Sequence, residues 1–270
     1  MSKFHIALKG LMFLTLCQSS YAAERVVALT IDDLPFVGPV HNKNGEINRF
    51  SQLVNQIEER KIPAMGFIIA GSIGPGQEQL LEEFKQKGFS LGNHTYTHIN
   101  LNRVGANRYI EDLDKAENRL QGVMTYPKYF RYPYLAEGRG NDNQRVKDYL
   151  TSHSYIIAPV TIDSKDYKFN GRLLAVNWRK RDVKLEAIKK DYLAYIDRQI
   201  TETEKMHSSE TPEILLVHAN LLNSHAMGDV IDLFQKRGYK FISLDEAIRT
   251  QQEIDLKKSI AKKQVLITQH

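Results

Sequence analysis

The sequence predicts a single-domain α/β protein in which parallel strands alternate with helices. Short β-branched or apolar runs alternate with longer segments of helical period, which is the pattern of β/α units around a parallel sheet or barrel. The 270 residues are 42% hydrophobic and 26% charged, as is typical of a globular chain. No internal repeat and no Pro/Gly/Ser linker interrupts the chain after its N-terminal segment, so we expect one domain.

Seven strands are predicted, each from a short apolar or β-branched run. They cover Val26 to Ile31, Ala64 to Ala70, Phe89 to Leu91, Tyr129 to Tyr132, Ile156 to Val160, Ile214 to His218 and Lys240 to Ser243. Gly88 and Gly238 each stand between a helical pattern and a strand, where a glycine that ends a helix belongs. The turns from helix to strand are therefore expected to be short.

Three connecting segments carry apolar residues at the spacing of one helical face. The faces are Ile47, Phe50, Leu53, Val54 and Ile57; Tyr109, Ile110, Leu113, Ala116 and Leu120; and Val183, Ile188, Tyr192, Tyr195 and Ile196. Two longer loops, Leu34 to Glu46 and Gly71 to Gln77, follow strands. Binding loops of β/α folds lie in such positions.

The N-terminal 22 residues have the pattern of a cleavable signal peptide. Lys3 and Lys9 precede the apolar run Gly10 to Cys17, and small and polar residues lead to Ala22. The run is too short to span a membrane, so we expect no integral membrane segment. Residues 1–22 are thus expected to direct export to the periplasm or the medium, and residues 23–270 to form a catalytic domain.

The cysteine content and the charge exclude several classes of protein. Cys17 is the only cysteine, and cleavage after Ala22 would remove it, so no disulfide or cysteine nucleophile is expected. The net charge of +5 is too small to indicate nucleic-acid binding. Catalysis must therefore use His, Asp, Glu or hydroxyl groups.

Polar and ionisable residues recur at the carboxyl ends of the predicted strands, or just after them. They are Asp32, Asp33, His94, His98, Arg131, Asp163, Asp166 and His218. In a parallel barrel these positions converge on one rim, where the active sites of β/α barrels lie. Each residue alone is explained as readily by a helix cap, a core histidine or a surface charge, but their joint placement predicts an active site.

The segment His94 to His98 has two imidazoles at positions i and i+4. This spacing places both on one face of a helical turn, where they can bind one divalent ion. An oxygen ligand from Asp32 or Asp33 would complete three protein ligands and leave zinc an open position, as in catalytic zinc sites. The other aspartate would then be free to remove a proton from a water molecule at the metal.

Five segments, in order, resemble the motifs of the polysaccharide deacetylases of carbohydrate esterase family 4. They are Thr30 to Pro35, His94 to His98, Arg131 to Tyr134, Asp163 to Tyr167 and Leu216 to His218. The resemblance spans about residues 26 to 245. It implies a distorted (β/α)7 barrel, a divalent metal that is usually zinc, and hydrolytic removal of acetyl groups from N-acetylated sugars.

The resemblance also implies a role for each matching residue. Asp33, His94 and His98 would bind the metal, and Asp32 would be the general base. Arg131 would hold Asp32, and Asp166 would orient the general acid, His218. The backbone N–H of Tyr134 would stabilise the oxyanion.

Two positions depart from the family's pattern. Leu34 stands where the family usually has glycine, and Tyr167 where it usually has tryptophan, so the floor and wall of the acetyl pocket are expected to differ. The expected partner is an N-acetylated glycan such as peptidoglycan, a chitooligosaccharide or an exopolysaccharide. The alternatives are an O-acetyl esterase acting on a polysaccharide and a non-catalytic glycan-binding module.

The remaining histidines and the lone tryptophan receive structural interpretations. His41, His153, His207 and His225 have no ligand partner at suitable spacing and are expected at the surface or in the core. Trp178 could stack on a sugar ring, but core packing is the favoured interpretation.

Overall fold

A computed structural model describes residues 24–37 and 43–268, so the predicted signal peptide lies outside the described residues. The strands are β1 (Arg25–Val37), β2 (Ala64–Ile68), β3 (Ser90–Asn93), β4 (Lys128–Phe130), β5 (Tyr155–Ile157), β6 (Ile162–Asp163), β7 (Glu213–Asn220) and β8 (Tyr239–Ile242). The helices are α1 (Lys43–Glu59), α2 (Gln77–Gln86), α3 (Leu101–Arg119), α4 (Gly140–Ser152), α5 (Asp166–Ala175), α6 (Arg181–Met206), α7 (Leu221–Lys236) and α8 (Leu244–Thr268).

The strands form one parallel sheet in the order β5-β4-β3-β2-β1-β7-β6, and β8 pairs with Arg25–Ala28 at the start of β1. Within the described residues no strand ladder joins β5 to β6, so the curved sheet stays open there. The predicted distorted (β/α)7 barrel is confirmed. All strands point the same way, so their carboxyl ends meet at one rim.

The core lies between the sheet and the helices packed around it. β1 is buried on both faces, as expected for a central parallel strand, since Val27, Leu29 and Ile31 on one face and Ala28 and Thr30 on the other are at most 1% exposed. The predicted faces of α1 and α3 are confirmed for Phe50, Leu53, Val54 and Ile57 and for Tyr109, Leu113, Ala116 and Leu120, which are buried. Ile110 is only partly buried, and the side chain of Ile47 lies outside what the structure describes. The face of α6 is only partly as predicted. Val183 lies in the first turn of α6 and is 79% exposed.

Three local expectations are wrong. β1 continues to Val37, so Asp32 and Asp33 lie inside a strand instead of after one. The fifth predicted strand, Ile156 to Val160, is the three-residue β5, and the two-residue β6 follows it at Ile162–Asp163. The first long loop is shorter than predicted because α1 begins at Lys43.

The glycines predicted to end helices have the expected backbone conformation. Gly88 follows α2 with φ 84°, and Gly238 follows α7 with φ 80°. Both angles lie in the left-handed region that glycine adopts at little cost. Among the described residues no helix is long and apolar enough to cross a membrane.

Candidate active site and metal centre

A cavity of about 580 Å³ opens at the carboxyl ends of the strands. Seven of the nine residues to which the sequence analysis assigns catalytic, metal-binding or substrate roles line it: Asp32, Asp33, His94, His98, Tyr134, Tyr167 and His218. The other two, Arg131 and Asp166, lie behind the cavity wall and are 1% and 0% exposed. The strand ends therefore bring all nine residues to one place.

The paired aspartates reach the cavity because β1 is irregular where they lie. The register with β2 shifts between Ile31 and Leu34, and Asp33 has φ 66°. In a regular strand two neighbouring side chains point to opposite faces of the sheet. The turn at Asp33 instead lets Asp32 and Asp33 both line the same cavity.

The two histidines do not lie on a helical turn, so that part of the sequence prediction is wrong. The segment after β3 is irregular, with φ 69° at Thr95 and 56° at His98. The imidazole ring centroids of His94 and His98 are 5.0 Å apart. The convergence of the rings therefore results from a tight loop.

Asp112 of α3 holds this histidine loop in place. Its carboxylate accepts hydrogen bonds from the Tyr96 N–H at 2.8 Å, the Thr97 N–H at 3.1 Å and the Thr97 hydroxyl at 2.6 Å. The Asn93 side chain accepts a fourth, from the Thr95 N–H, at 2.8 Å. These bonds satisfy the N–H groups of Thr95, Tyr96 and Thr97 in the absence of a helical turn.

Asp33, His94 and His98 fit a divalent metal ion. Their ligand atoms all lie within 4.8 Å of one another. Asp33 Oδ1 is 3.5 Å from His94 Nε2 and 3.3 Å from His98 Nε2, and it is buried without a hydrogen-bond partner. Donor atoms about 2.1 Å from a tetrahedral zinc lie roughly 3.4 Å apart. The distances and the unpartnered oxygen both match such a site.

The protonation states also suit a metal. The His94 Nδ1–H donates to the backbone carbonyl of Arg131 at 2.8 Å, which leaves Nε2 free to ligate. Burial lowers the pKa of His98 and favours the neutral imidazole that a metal requires. Burial alone would raise the pKa of Asp33, but His94 and the other histidines outweigh it and lower the pKa to about 2.

Asp32 lies beside this cluster and is held by Arg131. Its Oδ1 is 3.4 Å from a guanidinium nitrogen of Arg131, and its Oδ2 is 3.6 Å from His94 Nε2. The other Arg131 nitrogens donate to the Ala158 carbonyl, the Thr30 hydroxyl and the Pro159 carbonyl at 2.8 to 3.2 Å. Because the whole guanidinium is bonded, its position is fixed.

His218 is paired with a fully buried carboxylate. Its Nδ1–H donates to Asp166 Oδ1 at 2.6 Å, and its backbone N–H donates to Asp166 Oδ2 at 2.7 Å. Burial lowers the pKa of His218, but the charge and hydrogen bond of Asp166 outweigh that effect and raise the pKa to about 10. This raised pKa favours the protonated imidazole, whose Nε2 lines the cavity.

Two asparagines that the sequence analysis did not single out complete this arrangement. The side chains of Asn220 and Asn223 both donate to Asp166 Oδ2, and the Asn220 side chain also accepts from the Asn223 N–H. Asn220 thereby caps α7 directly after β7. Its position before a helix was the available signal, since asparagine is a preferred N-cap residue.

The aromatic residues lie at the mouth of the cavity. Tyr134 is 64% exposed, has φ 58°, and its ring centroid is 4.5 Å from that of His98. Tyr167 is 51% exposed, and its ring meets the His218 ring edge to face at 6.1 Å. Leu34 does not line the cavity, because it is fully buried and packs against Gly66. The expected change in the cavity floor is therefore not found, whereas Tyr167 does form part of the wall.

Comparison with known proteins supports the assignment made from the five motifs. The family model described as polysaccharide deacetylase matches residues 20–155. The chain belongs to the polysaccharide deacetylase family. Over 143 residues it is 27% identical to a peptidoglycan-N-acetylglucosamine deacetylase of Bacillus cereus. The aligned residues make up 53% of this chain and 46% of the relative.

Two further comparisons extend this similarity. A chitin deacetylase of Colletotrichum lindemuthianum is 28% identical over 155 residues, or 54% of each chain. The chain thus spans about half the length of the curated relatives it matches. The structure of a peptidoglycan deacetylase from Bacillus subtilis superposes with a TM-score of 0.58 at 16% identity, over 88% of this chain and 97% of that one. This last comparison shows a shared fold.

The residues given structural interpretations divide into two groups. His207 forms a hydrogen bond with Glu213, and His153 forms one with the Tyr149 carbonyl. His225 lies at the surface. Those interpretations are confirmed, and His41 lies outside the described residues. The core position favoured for Trp178 is wrong, since its side chain is 62% exposed.

Proposed function

We propose that the protein is a metal-dependent hydrolase that removes acetyl groups from N-acetylated sugars of a glycan. One observation carries the proposal: a cluster that fits a divalent ion, a carboxylate held by a buried arginine and a histidine paired with a buried aspartate line the same cavity. Removal of an N-acetyl group needs an activated water on one side and a proton donor for the departing nitrogen on the other. The cavity offers both.

Asp33, His94 and His98 hold the metal, which we take to be zinc. When bound, the ion polarises the acetyl carbonyl and increases the acidity of water. The aspartate and the two imidazoles would supply three protein ligands, the number found in other catalytic zinc sites.

Asp32 acts as the general base. It takes the proton from water as the water oxygen attacks the acetyl carbon, and Arg131 holds its carboxylate at the cavity. The N–H of Tyr134 donates to the carbonyl oxygen as negative charge develops there. A donor of this kind contributes roughly 3 to 4 kcal/mol in other enzymes.

His218 acts as the general acid. Its Nε2–H passes to the sugar nitrogen as the bond from carbon to nitrogen breaks, so the products are acetate and a free amine. Asp166 holds the ring and stabilises its protonated form. Tyr167 forms the wall beside it and contacts the substrate.

The substrate class rests on the family and on the open mouth of the cavity. An O-acetyl esterase is the second candidate, because the same groups can cleave an ester. A glycan-binding module without activity has no need for a base and an acid beside a metal site. We also propose that residues 1–22 direct export to the periplasm or the medium, where such glycans occur, and sequencing the N-terminus of the mature protein tests this step.

Acetate release from a panel of substrates tests the function. We expect release from N-acetylated chitooligosaccharides, peptidoglycan or a de-O-sulfated exopolysaccharide, loss of release with a chelator, and recovery when zinc is added back. Release from acetylated xylan alone would favour the esterase. Full activity after removal of the metal would contradict the proposed mechanism.

A further inference from the structure

A second cavity of about 500 Å³ lies next to the catalytic one. Helix α5 separates the two: Tyr167 and Asn170 line the catalytic cavity, and Leu173, about one turn later, lines the second. The junction of β7 and α7 also separates the two cavities, because Asn220 lines the catalytic cavity and Leu221 lines the second one. The two cavities therefore lie on opposite sides of the same two segments of chain.

Trp178 gives the second cavity an aromatic surface. It lies in a short 3₁₀ turn, Trp178–Lys180, between α5 and α6. The Arg179 guanidinium is 4.6 Å from the ring centroid, yet 62% of the tryptophan remains exposed. An exposed indole offers a flat apolar surface together with one N–H donor, which suits the face and the hydroxyls of a sugar.

The polar wall of this cavity is positively charged. Arg49 of α1 and Arg181 of α6 line it, and Asp182 is the only carboxylate among its lining residues in the described part of the chain. Arg181 is already bonded to the Leu174 and Val176 carbonyls. Arg49 is thus the cation best placed to meet a ligand, while Gln52 on the same helix adds a hydrogen-bonding group.

We propose that this second cavity binds a carboxylate-bearing sugar of the same glycan chain whose acetylated sugar occupies the catalytic cavity. The sugar ring stacks on Trp178 and its carboxylate pairs with Arg49, whose planar guanidinium suits a carboxylate. This inference rests on the proposed function and narrows it. The preferred glycan is anionic, with acidic sugars next to N-acetylated ones.

Tryptophan fluorescence tests the inference independently of catalysis, because Trp178 is the only tryptophan of the chain. The intact protein is titrated with oligosaccharides that contain N-acetylmuramic acid and with chitooligosaccharides of equal length. We expect a saturable emission change with the acidic series. Arg49→Ala should bind that series at least about tenfold more weakly, the usual effect of losing a charged hydrogen bond.

Arg108→Ala provides the matched control, since Arg108 is exposed on α3 and lines neither cavity. It should leave the titration unchanged. No emission change with the acidic series, or equal affinity of wild type and Arg49→Ala, would overturn the inference.

Kinetics separates this inference from the proposed function. Arg49→Ala should raise KM for the acidic series about tenfold while leaving kcat/KM for a short neutral chitooligosaccharide unchanged. If acetate is released but Arg49→Ala has the same kinetic effect on the acidic and the neutral series, the second cavity does not bind acidic sugars and the proposed function stands. If acidic sugars change the emission but no glycan loses acetate, the proposed function fails and the binding site stands.

Discussion

A histidine is paired with a buried carboxylate near each end of β7, and only one of the two pairs lies at the candidate active site. At the amino end, His207 Nδ1 is 2.9 Å from Glu213 Oε1. At the carboxyl end, His218 Nδ1 is 2.6 Å from Asp166 Oδ1. Both carboxylates have 0% exposure, so neither the residue types nor the burial distinguishes the pairs.

The surroundings of the two imidazoles do distinguish them. His218 lines a cavity together with Asp32, Asp33, His94 and His98. His207 lines a cavity of about 630 Å³ at the other end, where Lys258 is the only other ionisable residue among the described lining. The further groups that converge on His218 therefore distinguish the candidate catalytic pair from the other one.

The largest expected difference between the two ends is in turnover. His218→Ala should cut amide hydrolysis roughly 100-fold or more, the usual scale for general acid catalysis, while leaving the metal content near normal. Activated esters should suffer less, because their leaving group needs little protonation. Steady-state kinetics on both substrates checks this, and equal losses on amide and ester would count against His218 as the acid.

The control for that variant is His207, which follows α6 and pairs with Glu213 at the amino end of β7. His207→Ala should leave kcat/KM within about twofold of wild type, because His207 reaches no substrate. A loss comparable to that of His218→Ala would show that the two ends are not functionally distinct.

The pH dependence should change with the partner of His218. The acid must be protonated, so activity falls as the pH rises through its pKa, which Asp166 raises. Asp166→Asn lowers that pKa, and the alkaline limb of the pH–rate profile should move at least about one unit toward lower pH. An alkaline limb at the same pH in both proteins would rule out Asp166 as the group that sets it.

The smallest expected effect is on stability at the amino end. His207→Ala leaves the fully buried Glu213 without its partner, which should lower the free energy of unfolding by about 1 to 3 kcal/mol. Urea unfolding followed by circular dichroism measures it. An unchanged midpoint would mean that the pair contributes nothing to folding.

The sequence predicted those parts of the fold that depend on hydrophobic pattern. The buried faces of α1 and α3 follow the helical period, and the apolar residues of β1 predict a central strand. The prediction that Val183 is buried failed, because periodicity does not show where a helix extends beyond the core. β6 was missed because two residues are too few to form a pattern.

The candidate site shows a similar limit. The five motifs placed the site residues at one rim, but the i, i+4 spacing of His94 and His98 wrongly predicted a helical turn. The actual loop depends on Asp112, 14 residues beyond His98 in the chain, and a spacing argument cannot include a bond from a distant helix. Trp178 was assigned to the core because composition alone does not show exposure.

The central claim is that the adjacent aspartates have different roles, with Asp33 as ligand and Asp32 as base. The structure places Asp33 Oδ1 between the two imidazoles and Asp32 Oδ1 beside Arg131. Zinc titration of the two asparagine variants, measured by calorimetry, tests the claim directly. Asp33→Asn should bind zinc at least about tenfold more weakly, whereas Asp32→Asn should bind it normally and lose turnover. Normal zinc binding by Asp33→Asn together with weak binding by Asp32→Asn would contradict the assignment.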